Sequence, residues 1–378
     1  MRGQTHLQLA TEQSKLYGVG NLDAVARKAR ELQVGGHLII TAGDAKYKGV
    51  ILNFLAHLYA LGLKNTLIMS FDDELLPVIG YHGVRVGVPK DGSIPGCSKF
   101  RQSGSLRVLP TQVTKHAGIL VSLLEAANAA HGPPFSVTWM DADCLFTGAV
   151  SYFDWLAANM GGSAEAVDLI AQRGRHPYPL YLKIGSTICV GLMTIAPTAK
   201  ALDFYTDYYA SWSKRRGCDD QILFNEVAKA HGAFAPWIRS VEKKMVYGSL
   251  DDGEKMSIGP PPLKVNGTRA MRLGLLPYSR FPRGVAHSHR IGALSEWDAM
   301  LCSAHPPLAW HQQMWKDGQK KVTVMKRDGV FALNDGWESG AVDLGTAQTF
   351  FNRTVKTCPG TSMTASQIAA AARAAMKG

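Results

Sequence analysis

The chain has 378 residues, 46% of them hydrophobic, and a formal net charge of +11. This length and composition predict one large or two modest globular domains with a real core. A basic balance favours anionic partners such as phosphates, nucleotide sugars or acidic glycans. Because the cations are scattered and no basic stretch is interleaved with aromatic residues, nucleic acid is not expected as the main ligand.

Membrane and zinc-ribbon classes are disfavoured by simple patterns. No segment reaches the roughly 18–20 uninterrupted apolar residues of a membrane span, and residues 1–16 contain no hydrophobic signal region. We therefore expect a soluble chain with no membrane span, while an anchor outside it stays an open alternative. None of the six cysteines forms a C-x-x-C pair, which excludes a zinc ribbon. Two N-x-[ST] sequons, at Asn266 and Asn352, give mild support for a secretory route.

The first elements alternate between helix and strand. Residues 1–35 are predicted to form a peripheral segment with a short helix near 22–32. The apolar run 37–41 predicts a buried strand. Apolar residues at spacings of three and four over 50–61 predict a helix that ends at Gly62.

A second strand is predicted over 66–70 and a weaker third over 84–88. This β-α-β-β opening predicts an α/β fold with a doubly wound, mostly parallel sheet, followed by a smaller mixed β region towards the C-terminus. Ligands of such sheets bind at the carboxyl ends of the strands. The candidate donor-binding residues at these ends are Thr41, Asp44, Asp72 and Asp73.

The next apolar strand, 137–140, ends in Asp141-Ala142-Asp143, after a loop over 89–112 and a helix over 115–130. Because alternate side chains of an extended backbone share a face, both carboxylates are expected to point the same way from the mouth of the strand. Two hard oxygen donors there suit Mg²⁺ or Mn²⁺. An Asx turn explains the same three residues, so the tripeptide alone leaves both interpretations open.

Later elements follow from the same patterns. They are a helix over 153–160, an edge strand over 178–183, a buried strand over 188–195, a helix from Pro197 to about Trp212, a helix from Asp219 to Ala230, β-like segments over 244–247, 271–276 and 322–325, and an Ala-rich C-terminal helix.

Gly191 in the buried strand either lets another group approach the backbone or only serves packing. Asp219 is a good N-cap, which would explain it without a function. His287 and His289 share one face if extended, but nothing else of a zinc site lies near them, so a structural role is favoured.

Five features in a fixed order resemble the nucleotide-diphospho-sugar transferases akin to glycosyltransferase family 77. They are Asp72-Asp73-Glu74 after the second strand, Lys115 before the helix that leads to Trp139-Met140-Asp141-Ala142-Asp143, the strand with Gly191 and Pro197, Asp220-Gln221-x-x-x-Asn225, and Trp310-His311 ahead of Gly318 and Lys320-Lys321. The resemblance runs from about residue 36 to about residue 335. Each motif is weak, whereas their order and spacing are moderately specific.

The resemblance implies a GT-A fold and a retaining, divalent-metal-dependent glycosyltransferase. Its donor would be a UDP-sugar, its acceptor a glycan or glycoprotein hydroxyl, and its location the Golgi lumen or secretory pathway. Asp141 and Asp143 take the place of the family's DxD, and His311 takes that of the histidine completing the shell of Mn²⁺ or Mg²⁺. Asp220 and Gln221 match the catalytic pair near the donor sugar. The implied donor-binding residues are Thr41, Asp44, Asp72, Asp73, Lys115, Asp141, Gly191 and Lys321.

Two departures from the family pattern concern amide side chains. Cys189 stands where the family often has Asn, and Gln313 stands where it usually has Asn. A thiol cannot replace an amide, so the first departure bears on the choice of donor sugar. Because Asp143 and His311 are expected to share one ion, their ligand atoms should approach within about 5 Å.

Two other function classes fit the same chain. One is a non-catalytic relative that binds a glycan or a partner protein, and the carboxylate–histidine set argues against it. The other is a different α/β nucleotide enzyme, such as a sugar nucleotidyltransferase or a dehydrogenase. That enzyme would need an early Gly-rich phosphate loop, and Gly18-Val19-Gly20 precedes any predicted strand. The expected organisation is a peripheral segment (1–35), a GT-A domain (36–345) and a C-terminal tail (346–378).

Overall fold

The computed structural model describes residues 6–16, 18–88, 108–146, 152–160, 167–212, 219–234, 257–258, 264–265, 268–277, 281, 308–311, 318–327 and 331–333. The helices are α1 (His6–Leu16), α2 (Leu22–Leu32), α3 (Lys48–Ala60), α4 (Leu76–Ile79), α5 (Val108–Ala127), α6 (Tyr152–Met160), α7 (Tyr178–Ile184), α8 (Ala199–Ser211), α9 (Asp220–Ala230) and α10 (Gly318–Arg327). The strands are β1 (His37–Gly43), β2 (Thr66–Ser70), β3 (Gly83–Arg85), β4 (Ser136–Met140), β5 (Cys144–Phe146), β6 (Leu169–Gly174), β7 (Thr187–Ile195), β8 (Ser257–Ile258), β9 (Lys264–Val265), β10 (Thr268–Arg269), β11 (Leu273–Leu276) and β12 (Ala309–His311).

The main sheet has eight strands in the order β3-β2-β1-β4-β7-β6-β11-β8. The first four strands run parallel, and β7 runs antiparallel to both of its neighbours, β4 and β6. β11 is parallel to β6, and β8 pairs antiparallel with β11. The predicted α/β fold with a mostly parallel sheet is confirmed. The reversal at β7 was not predicted, because a fully buried strand shows the same apolar run in either direction.

Helices cover both faces of the sheet, as a doubly wound fold requires. In β1, Leu38 and Ile40 pack into the hydrophobic cluster that contains residues of α2, α5, α8 and α9. Ile39, between them, packs into the cluster that contains residues of α3, α6 and α10. This alternation follows from the two-residue period of a strand, and burial on both faces explains the continuous apolar run.

The N-terminal segment packs on the first of these clusters. Val25, Ala29 and Leu32 of α2 are buried there. Gly20 forms an isolated antiparallel bridge with Gly87, just after β3. A β-carbon at position 87 would lie only 2.8 Å from the backbone nitrogen of Gly20, so glycine permits this approach. The domain boundary near residue 35 stays a prediction.

Three predicted segments are corrected by the structure. Residues 178–183 form helix α7 instead of an edge strand, and residues 322–325 lie in helix α10 instead of a strand. α5 begins at Val108, inside the predicted loop. Strand β6 and the two-stranded ribbon of β5 and β12 were not predicted. The predicted strand 244–247, His287, His289, Gln313 and the Ala-rich tail lie outside the described residues. No helix within the described ranges is long and apolar enough to cross a bilayer.

Candidate active site

The Asp-Ala-Asp segment lies where β4 leaves the sheet, and a short ribbon brings a histidine to it. β5 follows Asp143 directly and pairs antiparallel with β12, which places His311 opposite Cys144. His311 Nε2 lies 3.7 Å from Asp141 Oδ2 and 3.6 Å from Asp143 Oδ1. The predicted approach of Asp143 and His311 within about 5 Å is therefore confirmed.

Each carboxylate has one oxygen held by donors and one turned towards the histidine. Asp141 Oδ1 accepts hydrogen bonds from Trp139 Nε1 at 2.8 Å and Lys115 Nζ at 3.2 Å. Asp143 Oδ2 accepts from Lys321 Nζ at 2.5 Å. The second oxygen of each carboxylate, Asp141 Oδ2 or Asp143 Oδ1, faces His311. The donors thus orient both carboxylates towards one point.

The arrangement fits a divalent cation. One ligand atom from each of Asp141, Asp143 and His311 lies within 4.8 Å of the others. Ligands about 2.1 Å from one octahedral ion are about 3.0 Å apart when adjacent and about 4.2 Å apart when opposite. The two distances to His311 fall between these values. Two carboxylate oxygens and one imidazole nitrogen form a donor set that can hold a divalent cation.

Glycine at 191 makes room for the histidine. A β-carbon there would lie 2.8 Å from Nδ1 and 2.9 Å from Nε2 of His311, and closer still to Cε1. The carbonyl of Gly191 also accepts a hydrogen bond from the backbone of Asp141 at 2.8 Å. The group that approaches Gly191 in this structure is therefore the His311 ring.

Neighbouring opposite charges keep the buried groups of the site ionised, although burial alone favours their neutral forms. Burial alone would raise the pKa of Asp143, but Lys321 and His311 outweigh it and hold that pKa well below its usual range. Burial alone would lower the pKa of His311, but Asp143 and Cys189 raise it to about 9. Asp143 likewise raises the pKa of Lys321 against its burial. Without an ion, the protonated imidazole is the positive charge between the two carboxylates; an ion bound there would displace that proton.

Asp220 lies at the start of α9, and Lys115 links it to Asp141 of the candidate metal site. Lys115 Nζ is 3.2 Å from Asp141 Oδ1 and 3.7 Å from Asp220 Oδ2, so one ammonium group contacts both carboxylates. His116 Nε2 also lies 3.5 Å from Asp220 Oδ2. Burial would raise the pKa of Asp220, yet His116 and Lys115 lower it to about 2. The carboxylate is therefore ionised across the physiological range.

The rest of the Asp220-Gln221-x-x-x-Asn225 motif fixes α9 in place. Asp219 accepts a hydrogen bond from Ile222 N at 2.9 Å, the N-cap bond predicted for it. Gln221 Nε2 donates to the carbonyl of His176 at 2.6 Å. Asn225 bonds both the N–H and the C=O of Ile188 in β7, at 2.7 and 2.8 Å. The amides thus hold the start of α9 against the sheet, with Asp220 directed at Lys115.

The predicted nucleoside residues lie at the carboxyl ends of β1 and β2, where they organise the loops. Asp72 Oδ2 accepts from Ala45 N at 2.7 Å and thereby joins the loop after β2 to the loop after β1. Asp44 caps the following turn through Lys46 N, and Asp73 pairs with Arg85 at 2.9 Å. The hydroxyl of Thr41 is buried and has no hydrogen-bond partner among the described residues. Their contact with a donor stays a prediction.

Sequence reasoning missed three side chains that shape the site: the indole of Trp139, His116 and Gln172. Trp139 was part of the motif, but its bond to Asp141 depends on a rotamer that the sequence does not show. His116 follows Lys115 directly, so its position beside the motif was the available signal. Gln172 lies in β6, an unpredicted strand, and reaches His311 Nδ1 at 3.1 Å.

No protein-family model and no curated protein matches the chain. Similar solved structures include the apo form of the bifunctional glycosyltransferase WbbM, at 10% identity and a TM-score of 0.41, covering 83% of this chain and 52% of that one. The galactosyltransferase LgtC, in complex with donor and acceptor sugar analogs, matches at 10% identity and a TM-score of 0.34, covering 80% of this chain and 99% of that one. The glycosyltransferase GlyE of Streptococcus pneumoniae TIGR4 matches at 12% identity and a TM-score of 0.35, with coverage of 83% and 63%.

The chain spans about half the length of WbbM. All three neighbours bear the names of glycosyltransferases. At these identities and TM-scores the likeness carries no argument about activity, which has to be argued from the side chains of the site.

Proposed function

We propose that the chain is a retaining glycosyltransferase that uses Mn²⁺ or Mg²⁺ and a UDP-sugar, and transfers the sugar to a hydroxyl of a glycan or glycoprotein. One observation carries the proposal. An oxygen of Asp141, an oxygen of Asp143 and Nε2 of His311 converge at the carboxyl end of β4, with the Lys321 ammonium beside them. This is the kind of site that binds a diphosphate through a shared cation.

Transfer from a nucleotide sugar requires stabilisation of the negative charge on the departing diphosphate. Asp141, Asp143 and His311 would hold the cation, which supplies Lewis-acid charge when bound. Lys321 adds a fixed positive charge without transferring a proton. Its Nζ lies 2.5 Å from Asp143 Oδ2, so it is already oriented before a donor binds.

Asp220 and Gln221 are the proposed catalytic residues on the sugar side. Asp220 is ionised and shares Lys115 with Asp141, so its negative charge is placed beside the diphosphate site. A carboxylate there stabilises positive charge that develops at the anomeric carbon. In the route we favour, the acceptor hydroxyl attacks from the face that the diphosphate leaves, and a diphosphate oxygen takes its proton.

The test is a panel of UDP-sugars incubated with the protein and Mn²⁺. We expect slow hydrolysis of at least one donor without acceptor, its loss on chelation, and its loss in Asp143→Asn. The anomeric configuration of a transfer product, read by NMR, tests retention. If no UDP-sugar is turned over and none binds by calorimetry, the enzyme proposal fails. Binding without turnover would identify the non-catalytic relative instead.

The Golgi or secretory location and the glycan or glycoprotein acceptor are proposed from the family resemblance. Occupancy of the sequons at Asn266 and Asn352 in protein from a secreting cell tests the location. Both sites should carry N-glycans if the chain enters the secretory pathway.

A further inference from the structure

A buried pair of hydrogen bonds leads from the backbone to the histidine of the site. Gln172 Nε2 donates to the carbonyl of Phe281 at 2.8 Å, and Gln172 Oε1 lies 3.1 Å from His311 Nδ1. Gln172 is fully buried and His311 is 2% exposed. The bonds are therefore formed away from competing water.

The first bond settles the direction of the second. A carbonyl oxygen only accepts, so the Gln172 atom that faces Phe281 is the amide NH₂. The atom that faces His311 is then the amide oxygen, which also only accepts. Nδ1 of His311 must carry the hydrogen, and the neutral ring has its lone pair on Nε2.

In the neutral ring that metal binding requires, that lone pair points at the two carboxylates. Nε2 is the ring nitrogen that lies 3.7 Å from Asp141 Oδ2 and 3.6 Å from Asp143 Oδ1. Cys189 Sγ is the other neighbour of Nδ1, at 3.7 Å. Because the amide oxygen is closer and a stronger acceptor than sulfur, Gln172 sets the tautomer and Cys189 plays a lesser part.

We propose that Gln172 is a positioning residue that holds His311 in its Nδ1–H tautomer and so presents Nε2 to a divalent cation. Gln172 is the register partner of Cys189 across β6 and β7. At this pair of positions β6 supplies a buried amide, Gln172, and β7 supplies a thiol, Cys189. This inference rests on the proposed metal-dependent function.

Two substitutions separate this role from simple packing. Gln172→Met keeps the volume but loses both hydrogen bonds. Gln172→Glu keeps an acceptor for His311 and loses the donor to Phe281. If Gln172 only tied β6 to Phe281, both variants would be equally impaired. If it orients His311, the Glu variant retains function and the Met variant does not.

The experiment measures Mn²⁺ affinity by calorimetry and the coordinated nitrogen by pulsed EPR. We expect Gln172→Met to weaken Mn²⁺ binding by about 10- to 100-fold, as loss of an outer-shell partner does, and to lose the ¹⁴N coupling of a bound imidazole. Gln172→Glu and the matched control Cys189→Ala should stay within about threefold of wild type, with the coupling intact. Gln172→Asn withdraws the amide by one carbon–carbon bond, about 1.5 Å, and should also weaken binding, so it decides the question if the Met variant does not fold.

Outcomes separate the two proposals. Equal affinity in wild type and Gln172→Met, or equal loss in the Met and Glu variants, overturns the role of Gln172 while leaving the glycosyltransferase proposal intact. A wild-type protein that shows no ¹⁴N coupling with bound Mn²⁺, or binds no Mn²⁺ at all, overturns the assignment of His311 as a ligand and the role of Gln172 with it.

Discussion

Asp141 and Asp143 carry the same charge in different surroundings. The side chain of Asp143 is 4% exposed and is paired with Lys321 and His311, whereas that of Asp141 is 35% exposed. Removing the charge of Asp143 leaves two cationic groups buried without their partner. Removing that of Asp141 leaves Lys115 still paired with Asp220, and water reaches the side chain at position 141.

Asp143→Asn and Asp141→Asn should therefore differ in stability but not in activity. We expect the free energy of unfolding to fall by about 3 kcal/mol for Asp143→Asn and by less than about 1 kcal/mol for Asp141→Asn. Both should reduce Mn²⁺-dependent turnover by roughly 100-fold or more, because each removes a proposed ligand. Urea denaturation and donor hydrolysis measure the two effects. Equal stability losses would contradict the difference in burial.

Gly191→Ala tests the contact with the His311 ring. The added methyl group would overlap the ring, so the imidazole must move away from the carboxylates. We expect at least a tenfold loss of Mn²⁺ affinity, roughly the lower bound for a disturbed outer shell. Gly20→Ala is the matched control, since its nearest neighbour would be 3.8 Å away at Gly87 Cα. Unchanged affinity in Gly191→Ala would show that the ring has room to shift without cost.

At the scale of single residues, the sequence predicted the acidic pair and the histidine but not their supports. Asp141 and Asp143 follow an apolar run, and that local pattern marks the end of a strand. The bond between Gln172 and His311 joins residues 139 positions apart. Such a contact depends on strand order and register, which a single sequence does not encode in any local pattern.

The position of Lys321 depends on the first turn of α10. Gly318 opens this helix against the loop after β1, where a β-carbon would overlap the Lys46 carbonyl and come within 3.3 Å of Tyr47 Cα. The helix therefore approaches the loop more closely than any side chain allows. Lys321, one turn later, reaches Asp143 from this position.

Gly318→Ala should push α10 away from the loop and withdraw Lys321 from the site. We expect about a tenfold weaker affinity for UDP in the presence of Mn²⁺, because a fixed cation is lost from the diphosphate site. Gln319→Ala, on the exposed side of the same turn, is the control and should bind UDP like wild type. Titration calorimetry gives both affinities. If Gly318→Ala binds normally, Lys321 does not depend on this close contact.

At the scale of elements, long apolar runs were predictable and short ones were not. The 322–325 segment contains β-branched residues that favour a strand, but Val322 and Met325 are both buried at the helical spacing of three. Packing of α10 on α3 overrides the local preference. In α7 the proline lies in the first helical turn, where it is tolerated. Seven residues are too few for periodicity alone to separate the two structures.

Among the described residues, the buried His116 and His311 have pKa values shifted in opposite directions. Burial lowers the pKa of His116 to about 4, below the ordinary value of 6.5. The unfolded chain therefore binds a proton between pH 6.5 and 4 that the folded chain does not bind, and stability falls as the pH drops through this window. His311 has a raised pKa, about 9. The stabilisation that this raised pKa gives the folded protein is complete below pH 6.5 and is lost as the pH rises towards 9.

We expect the metal-free protein to be most stable near pH 6.5. Between pH 6.5 and 4, the free energy of unfolding of His116→Gln should fall by about 3 kcal/mol less than that of wild type. His311→Gln should remove the decline on the alkaline side. Urea denaturation across pH 4–9 measures both. An acid limb that keeps its slope in His116→Gln would show that other groups cause it.

At the scale of the whole fold, the alternation of helices and strands was enough to predict the α/β class. Continuous apolar runs in β1, β2, β4 and β7 marked strands buried on both faces. The order of the strands beyond β4 was not predictable, since it depends on pairings between distant segments. The three-residue strands β5 and β12 fall below the length at which a pattern becomes visible.

The ribbon of β5 and β12 is small, yet it joins parts of the chain that are roughly 170 residues apart, a separation whose closure is entropically costly for an unfolded chain. A cation held by both sides of the ribbon would act as a removable cross-link across that separation. Its binding energy would be available only to chains in which the N-terminal and C-terminal halves have met. The ion that we propose for sugar transfer would thus also favour the completed fold over partly assembled chains.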